Sequence, residues 1–163
     1  IFGTPEKVYG WVILEDQMKP EAPECISQLK KQHIAVMMAT GDHEQAARNI
    51  AEKAGIQQIK AGLLPQEKAN LIQSMQNKGN VVAMVGDGVN DAESMAKADV
   101  SIAMGNGSDV ARDVADITLI KANLLKIPFA VQLSKKTTRI IHQNLFWAFG
   151  YNVAAIPLAA GVF

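Results

Sequence analysis

A doubly wound α/β domain is the fold class this 163-residue sequence predicts. Three observations point to it. Short apolar, β-branched runs alternate with helix-period segments between residues 8 and 120. Two of those runs end in glycine-aspartate loops, Thr40-Gly41-Asp42 and Gly86-Asp87-Gly88, as strand ends at the ligand-binding edge of an open parallel sheet do. Charge then disappears from the last stretch of the chain. Residues 1–122 are therefore expected to form the sheet domain, 123–144 a helical stalk and 145–163 a transmembrane helix.

Taken in order, residues 8–14 read as a strand, and 19–31 as a helix with Pro20 near its start. Residues 34–39 form a second apolar strand, followed by the loop 40–42. Residues 43–54 are a helix stopped by Gly55, and 65–76 a third helix opened by Pro65, with Lys68 in its first turn. The run Val81-Val82-Ala83-Met84-Val85 has the composition of a buried parallel strand. A short helix over 92–97, a strand over 100–104, a turn at 105–108 into a helix through 115, and a strand over 117–120 complete the alternation.

Sixteen basic and sixteen acidic residues cancel, so nothing in the charge balance points to a nucleic-acid surface, and no nucleic-acid partner is expected. The lone cysteine, Cys25, excludes an internal disulfide and a cysteine-cluster zinc site, and on a helical apolar face it reads as core. The chain opens at Ile1 without a charged-then-apolar leader, as a piece of a longer protein would. From 145 to 163 nineteen residues carry no charge. As a helix they span about 28 Å, close to the hydrocarbon thickness of a bilayer. Lys135, Lys136 and Arg139 precede that run and would hold its near end in the cytoplasm, with Trp147 at the interface. A buried helix closing a soluble domain is the competing reading.

Asp87, Asn90 and Asp91 lie on one loop with glycine clearance, the hard-oxygen donor set that suits Mg²⁺ beside a phosphate. A turn with a helix cap is the plainer alternative. Thr40 taken alone is a turn residue, and Lys68 taken alone a solvated helix lysine. Together, a hydroxyl, an ammonium and a metal-holding carboxylate suit phosphoryl transfer, which needs positioning and charge stabilisation above all.

The ordered set Thr40-Gly41-Asp42, Pro65 to Lys68, Val85-Gly86-Asp87-Gly88-Val89-Asn90-Asp91, the Gly105-Asn106-Gly107-Ser108 turn and Asp116-Ile117-Thr118-Leu119-Ile120 is very similar to P-type ATPases. It resembles the second half of their phosphorylation domain, which has the haloacid-dehalogenase fold. That resemblance implies that Thr40 and Gly41 contact the phosphoryl group, with Asp42 supporting the loop. It implies that Lys68 neutralises phosphate charge, Asp87 ligates Mg²⁺, and Asn90 and Asp91 complete the site, Asp91 as an indirect or weaker metal partner. The family usually continues Ala-Pro-Ala-Leu where this chain has Ala92-Glu93-Ser94-Met95. Glu93 in a first helical turn suits the helix dipole, so the change reads as tolerated. The family's nucleophile, the aspartate of an Asp-Lys-Thr-Gly-Thr run, has no counterpart here. Asp16, with Lys19 and Pro20, resembles instead the segment that re-enters the phosphorylation domain after the nucleotide domain. The chain alone is thus expected not to form an aspartyl-phosphate, and most of the ATP site lies outside it.

Asn144, Tyr151-Asn152 and Pro157 resemble a membrane helix of heavy-metal ATPases that export copper(I), with Tyr151 and Asn152 on the ion path. Zinc and cadmium relatives typically carry a lysine there, and none occurs from 145 to 163. An interfacial tyrosine beside a helix-gluing asparagine is the alternative. The seven methionines do not argue for copper, since none lies beyond Met104. The resemblance implies Mg²⁺, ATP, copper(I) or silver(I) as cargo, membrane lipid, and the rest of the same ATPase chain as partners. It implies a bacterial plasma-membrane protein with residues 1–140 cytoplasmic. A soluble phosphatase of the haloacid-dehalogenase type, or a non-catalytic half-domain binding Mg²⁺ or phosphate, are the other readings of the same residues.

Overall fold

A computed structural model describes residues 2–4, 7–10, 17–86, 89–105, 113–121 and 123–161. Two short strands open the chain, β1 (Phe2–Thr4) and β2 (Lys7–Gly10), paired antiparallel with an irregularity between Phe2 and Gly3. The sequence expects one strand over 8–14; pairing stops at Gly10 among the described residues, and 11–16, with Asp16, lie outside them.

Helix α1 (Ala22–Lys31) leads to β3 (Met37–Ala39), α2 (Glu44–Ala54), β4 (Gln58–Lys60) and α3 (Pro65–Gln76). Then come β5 (Ala83–Gly86), a 3₁₀ turn (Val89–Asp91), α4 (Ala92–Lys97), β6 (Val100–Met104) and β7 (Ile117–Leu119). Helix α5 (Lys126–Ala159) ends the fold. Strands β3 and β4 form one parallel pair, and β5, β6 and β7 a parallel three-stranded sheet in that order. The expected parallel α/β architecture is present, as two sheet pieces. The helix expected after the 105–108 turn falls mostly on residues 106–112, outside the described residues.

Local chemistry explains most boundaries. Helix α2 buries Ala47, Ala51 and Ala54, a small-residue stripe at helical spacing, and ends at Gly55 with φ 76°. Helix α1 ends differently: His33 takes the left-handed conformation at φ 62°, while the Ile34 amide donates to the Leu29 carbonyl at 3.1 Å. The main core gathers Cys25 and Leu29 from α1, Ile102 and Met104 from β6, Leu119 from β7 and Ile127 from α5. Cys25 is buried, its Sγ donates to the Leu124 carbonyl at 3.3 Å, and burial, with Glu21 adding, pushes the thiol up. It is a packing residue that ties α1 to the start of α5.

The carboxylates Asp99 and Asp116 fasten the sheet at its amino-terminal edge. Asp99 Oδ2 accepts the Val82 amide at 2.8 Å, and Asp116 Oδ2 accepts the Ser101 amide at 2.8 Å. Each acid stands one residue before a strand and holds the neighbouring strand's beginning. At the opposite edge, Gly105 closes β6 against the end of β7; a Cβ there would sit 2.2 Å from the Leu119 carbonyl oxygen.

The carboxyl-terminal region is helical as expected, but its apolar run is weaker than a membrane span needs. A helical stalk over 123–144 feeding an apolar helix from 145 was expected, and one helix runs unbroken from Lys126 to Ala159 across that boundary. Among the described residues, no helix is long and apolar enough to cross a membrane. Gly150, Tyr151, Asn152 and Pro157 dilute the apolar run, and the basic stalk shares the same helix. The helix is nonetheless unusual on its surface: Phe146, Trp147, Phe149, Val153 and Leu158 are each more than 60% exposed.

Candidate phosphoryl site

The loop after β3 is held by its own chemistry. The Thr40 hydroxyl donates to Asp42 Oδ2 at 2.7 Å and accepts the Asp42 amide at 3.1 Å. This side-chain turn fixes the loop without secondary structure. Main-chain bonds then fasten it to the segment before α3: Gly62 N–H to the Asp42 carbonyl at 2.8 Å, and Leu63 N–H to the Thr40 carbonyl at 3.0 Å. Gly41 sits between them, exposed.

Two residues further on, α3 begins. Pro65 supplies its first position, and Glu67 Oε2 accepts the Leu64 amide at 2.8 Å, half of a capping box, since Leu64 has no side-chain acceptor to return. Lys68 follows, near the positive end of the helix dipole, where a cation is unfavourable. It is stabilised by Asp91, whose Oδ1 lies 2.8 Å from Lys68 Nζ, with both side chains about 15% exposed. Lys68 is therefore no solvated helix lysine.

Asp91 closes the 3₁₀ turn after β5. It packs so close to the strand end that a Cβ on Gly86 would come within 2.8 Å of the Asp91 Cβ and 3.1 Å of its Oδ2. Glycine at 86 is the condition for this carboxylate to fold back over the sheet. Asn90 is exposed beside it. Asp87 and Gly88 lie outside the described residues.

The loops after β3 and β5 are thus connected through the start of α3, one by main-chain bonds, the other by the Lys68–Asp91 pair. Of the expected site residues, Thr40, Gly41, Asp42, Lys68 and Asp91 belong to this one hydrogen-bonded assembly. Tyr151 and Asn152 stand elsewhere, on exposed α5, with Asn152 Nδ2 donating to the Ala148 carbonyl at 2.9 Å in the same helix. Sequence reading missed the roles of Gly62 and Leu63, whose contribution is main-chain only and leaves no residue-type signal. It also missed that Lys68 and Asp91 pair directly.

The donor set can be compared with the Mg²⁺ that such a loop suits. Among the described residues no cluster of three histidine, cysteine or acidic side chains could hold a metal. Asp91 Oδ2 is, however, not engaged by Lys68, and it occupies the clearance that Gly86 leaves. Its oxygen chemistry fits a hard cation that keeps most of its waters and needs few protein ligands.

A sequence profile of the haloacid dehalogenase-like hydrolases matches residues 2–99. The chain belongs to this family. Among curated relatives, a copper-exporting P-type ATPase of Staphylococcus haemolyticus is 49% identical over 154 residues, covering 94% of this chain and 19% of the relative. Another from Staphylococcus epidermidis is 47% identical over 160 residues, covering 98% of this chain and 20% of that one. The chain therefore spans about one-fifth of the length of these relatives. Among solved structures, a zinc-transporting PIB-type ATPase in an E2.Pi state superposes with a TM-score of 0.84 at 35% identity, over 91% of this chain and 24% of that one. The catalytic domain of the CPx-ATPase CopB-B matches with a TM-score of 0.66 at 34% identity, over 69% of this haloacid dehalogenase-like chain and 45% of that domain.

Proposed function

We propose that this chain supplies the second half of the phosphorylation domain of an ATP-driven copper(I)-exporting P-type ATPase. The observation that carries the reading is the Lys68–Asp91 pair, held where the two glycine-aspartate loops are tied together. In this reading Thr40 and the Gly41 main chain bind the oxygens of the transferred phosphoryl group. Asp42 holds the Thr40 hydroxyl in position. Lys68 places an ammonium against the developing charge, and Asp91 orients that ammonium. Asp87, with Asp91 more weakly and Asn90 beside it, holds Mg²⁺, which when bound neutralises phosphate charge. The phosphoryl acceptor is an aspartate on a strand elsewhere in the longer chain.

Strand pairing supports that division. Among the described residues strand β3 pairs only with β4, and β5 only with β6, so each leaves an edge open. Both flank the site, and a strand bearing the acceptor would fit between them.

Copper(I) rather than zinc follows from the curated relatives and from the absence of lysine between 145 and 163. Silver(I), equally soft, is a second cargo. Tyr151 and Asn152 lie on the ion path, and the uncharged end of α5 is buried in a bacterial plasma membrane against helices of the longer chain, with residues 1–140 cytoplasmic. Partner helices explain how a segment too polar to cross alone is accommodated.

The test is phosphoenzyme formation from ATP in the full-length protein. Asp87→Asn is expected to lower it by about 100-fold or more, on the scale of losing one transition-state electrostatic partner. Wild-type phosphoenzyme in that variant overturns the assignment.

A further inference from the structure

We propose that Gln76, at the end of α3 far from the site, is a positioning residue for phosphoryl transfer: it pins α3 to the end of α4 and so fixes where Lys68 carries its ammonium. The proposal rests on the phosphoryl-transfer reading above and deepens it, by naming a residue that acts on the site through Lys68.

Helix α3 packs along α4 in the same direction. The two helix starts meet through Lys68 and Asp91, and the two helix ends meet through Gln76. Gln76 Nε2 donates to the Lys97 carbonyl at 2.9 Å. That carbonyl lies in the last turn of α4, where no later amide of the helix can reach it. The Gln76 side chain also bonds to Asp99, whose Oδ2 accepts the Val82 amide at 2.8 Å, while the Asp99 amide donates to the Val82 carbonyl at 3.0 Å. Val82 stands just before β5, the strand that ends at Gly86 beneath Asp91. A cap for α4 would need the Lys97 carbonyl alone. The second bond ties α3 to the root of the strand that carries the site.

Between the two ties α3 buries Ala69 and Ile72, 0% and 5% exposed. Apolar burial resists separation of the helices but has no direction, so it resists sliding much less. Position along the axis is set by the directional bonds at the two ends. One of them, Lys68 with Asp91, must share its ammonium with an incoming phosphoryl group, and an ammonium has three protons to share. Gln76 lies about 12 Å of helix rise away, outside the reacting set, and holds α3 in place while that sharing occurs. The geometry it protects is steep, since a misplacement of about 1 Å costs on the order of 100-fold.

The experiment uses the full-length ATPase carrying Gln76→Met, which keeps the length of the side chain and removes its donors. Phosphoenzyme formation at saturating ATP is expected to slow by about tenfold, and the apparent affinity for inorganic phosphate to fall by about tenfold. The ATP concentration giving half the maximal rate should stay within about twofold, because most of the ATP site lies outside this chain. Ile72→Val separates positioning from simple loosening of the same contact. It should lower the urea midpoint and leave the phosphate affinity within about twofold. If Gln76→Met does not fold, Gln76→Glu carries the same expectation, since it keeps the shape and turns an acceptor toward the Lys97 carbonyl. Unchanged phosphate affinity in the Gln76 variant, or an equal loss in Ile72→Val, overturns the proposal. Asp87→Asn in the same assay keeps the two readings apart. Phosphoenzyme lost there but intact in the Gln76 variant strikes the positioning role alone, whereas phosphoenzyme retained in Asp87→Asn strikes the phosphoryl reading beneath it.

Discussion

Ser94 is fully buried in α4, and among the described residues its hydroxyl has no hydrogen-bond partner. It stands where the P-type ATPase pattern has alanine. An unpaired buried hydroxyl costs stability, while alanine fills the helix without a polar atom. Ser94→Ala is therefore expected to raise stability by about 1 kcal/mol, read as a higher urea midpoint at unchanged slope. A lower midpoint would mean that the hydroxyl has a partner. Ser94 and Lys68 show opposite limits of sequence reading. Serine on a short polar helix gives no sign of burial, because burial depends on α3 and β5 packing over it. Lysine in a first helical turn does give a sign, since it opposes the dipole, but its partner lies 23 residues away and is chosen by the fold.

At the scale of elements, Asp99 and Asp116 hold the strand beginnings. The Val82 amide first, then Gln76, lowers the Asp99 carboxyl below its usual range. The Ser101 amide first, then its hydroxyl, does the same for Asp116. The folded chain therefore takes up these protons less readily than the unfolded chain. The stability they contribute is complete above the ordinary aspartate value of about 3.9 and is lost as pH falls through the lowered folded values. Asp116→Asn is expected to be less stable than the parent at neutral pH, with the difference shrinking below about pH 4 as the parent's own carboxyl protonates. Chemical denaturation across that range measures it, and a pH-independent difference would remove Asp116 from the acid limb. The repeated Ala-Asp before Val100 and Ile117 was visible in the sequence, but only the parallel register shows which amide each acid meets. Strand β4 was not legible, because Gln58-Ile59-Lys60 has one apolar residue and becomes a strand through pairing with β3.

For the whole molecule, the open edges of β3 and β5 matter most. Val81 is 84% exposed and Ala83 exposed, although the run they belong to reads as a buried strand. That run is apolar on both faces, as a strand covered on both sides is, and in the proposed full-length ATPase a neighbouring strand would supply that cover. Edge amides of β3 and β5 are predicted to exchange quickly with solvent in this chain and to be protected by about 100-fold or more in the full-length protein. Hydrogen exchange on the two forms measures this, and equal protection would exclude a strand between them.

The sequence by itself determined the α/β alternation, the two glycine-aspartate loops and the run of uncharged residues at the end. Each of these is written in local periodicity, glycine placement or charge, which need no partner to be read. Tertiary structure alone decided that Lys68 pairs with Asp91 and that Gly62 and Leu63 hold the Thr40 loop. Those depend on which distant segments meet, and a contact across twenty or more residues is fixed by packing and register rather than by the identity of either residue.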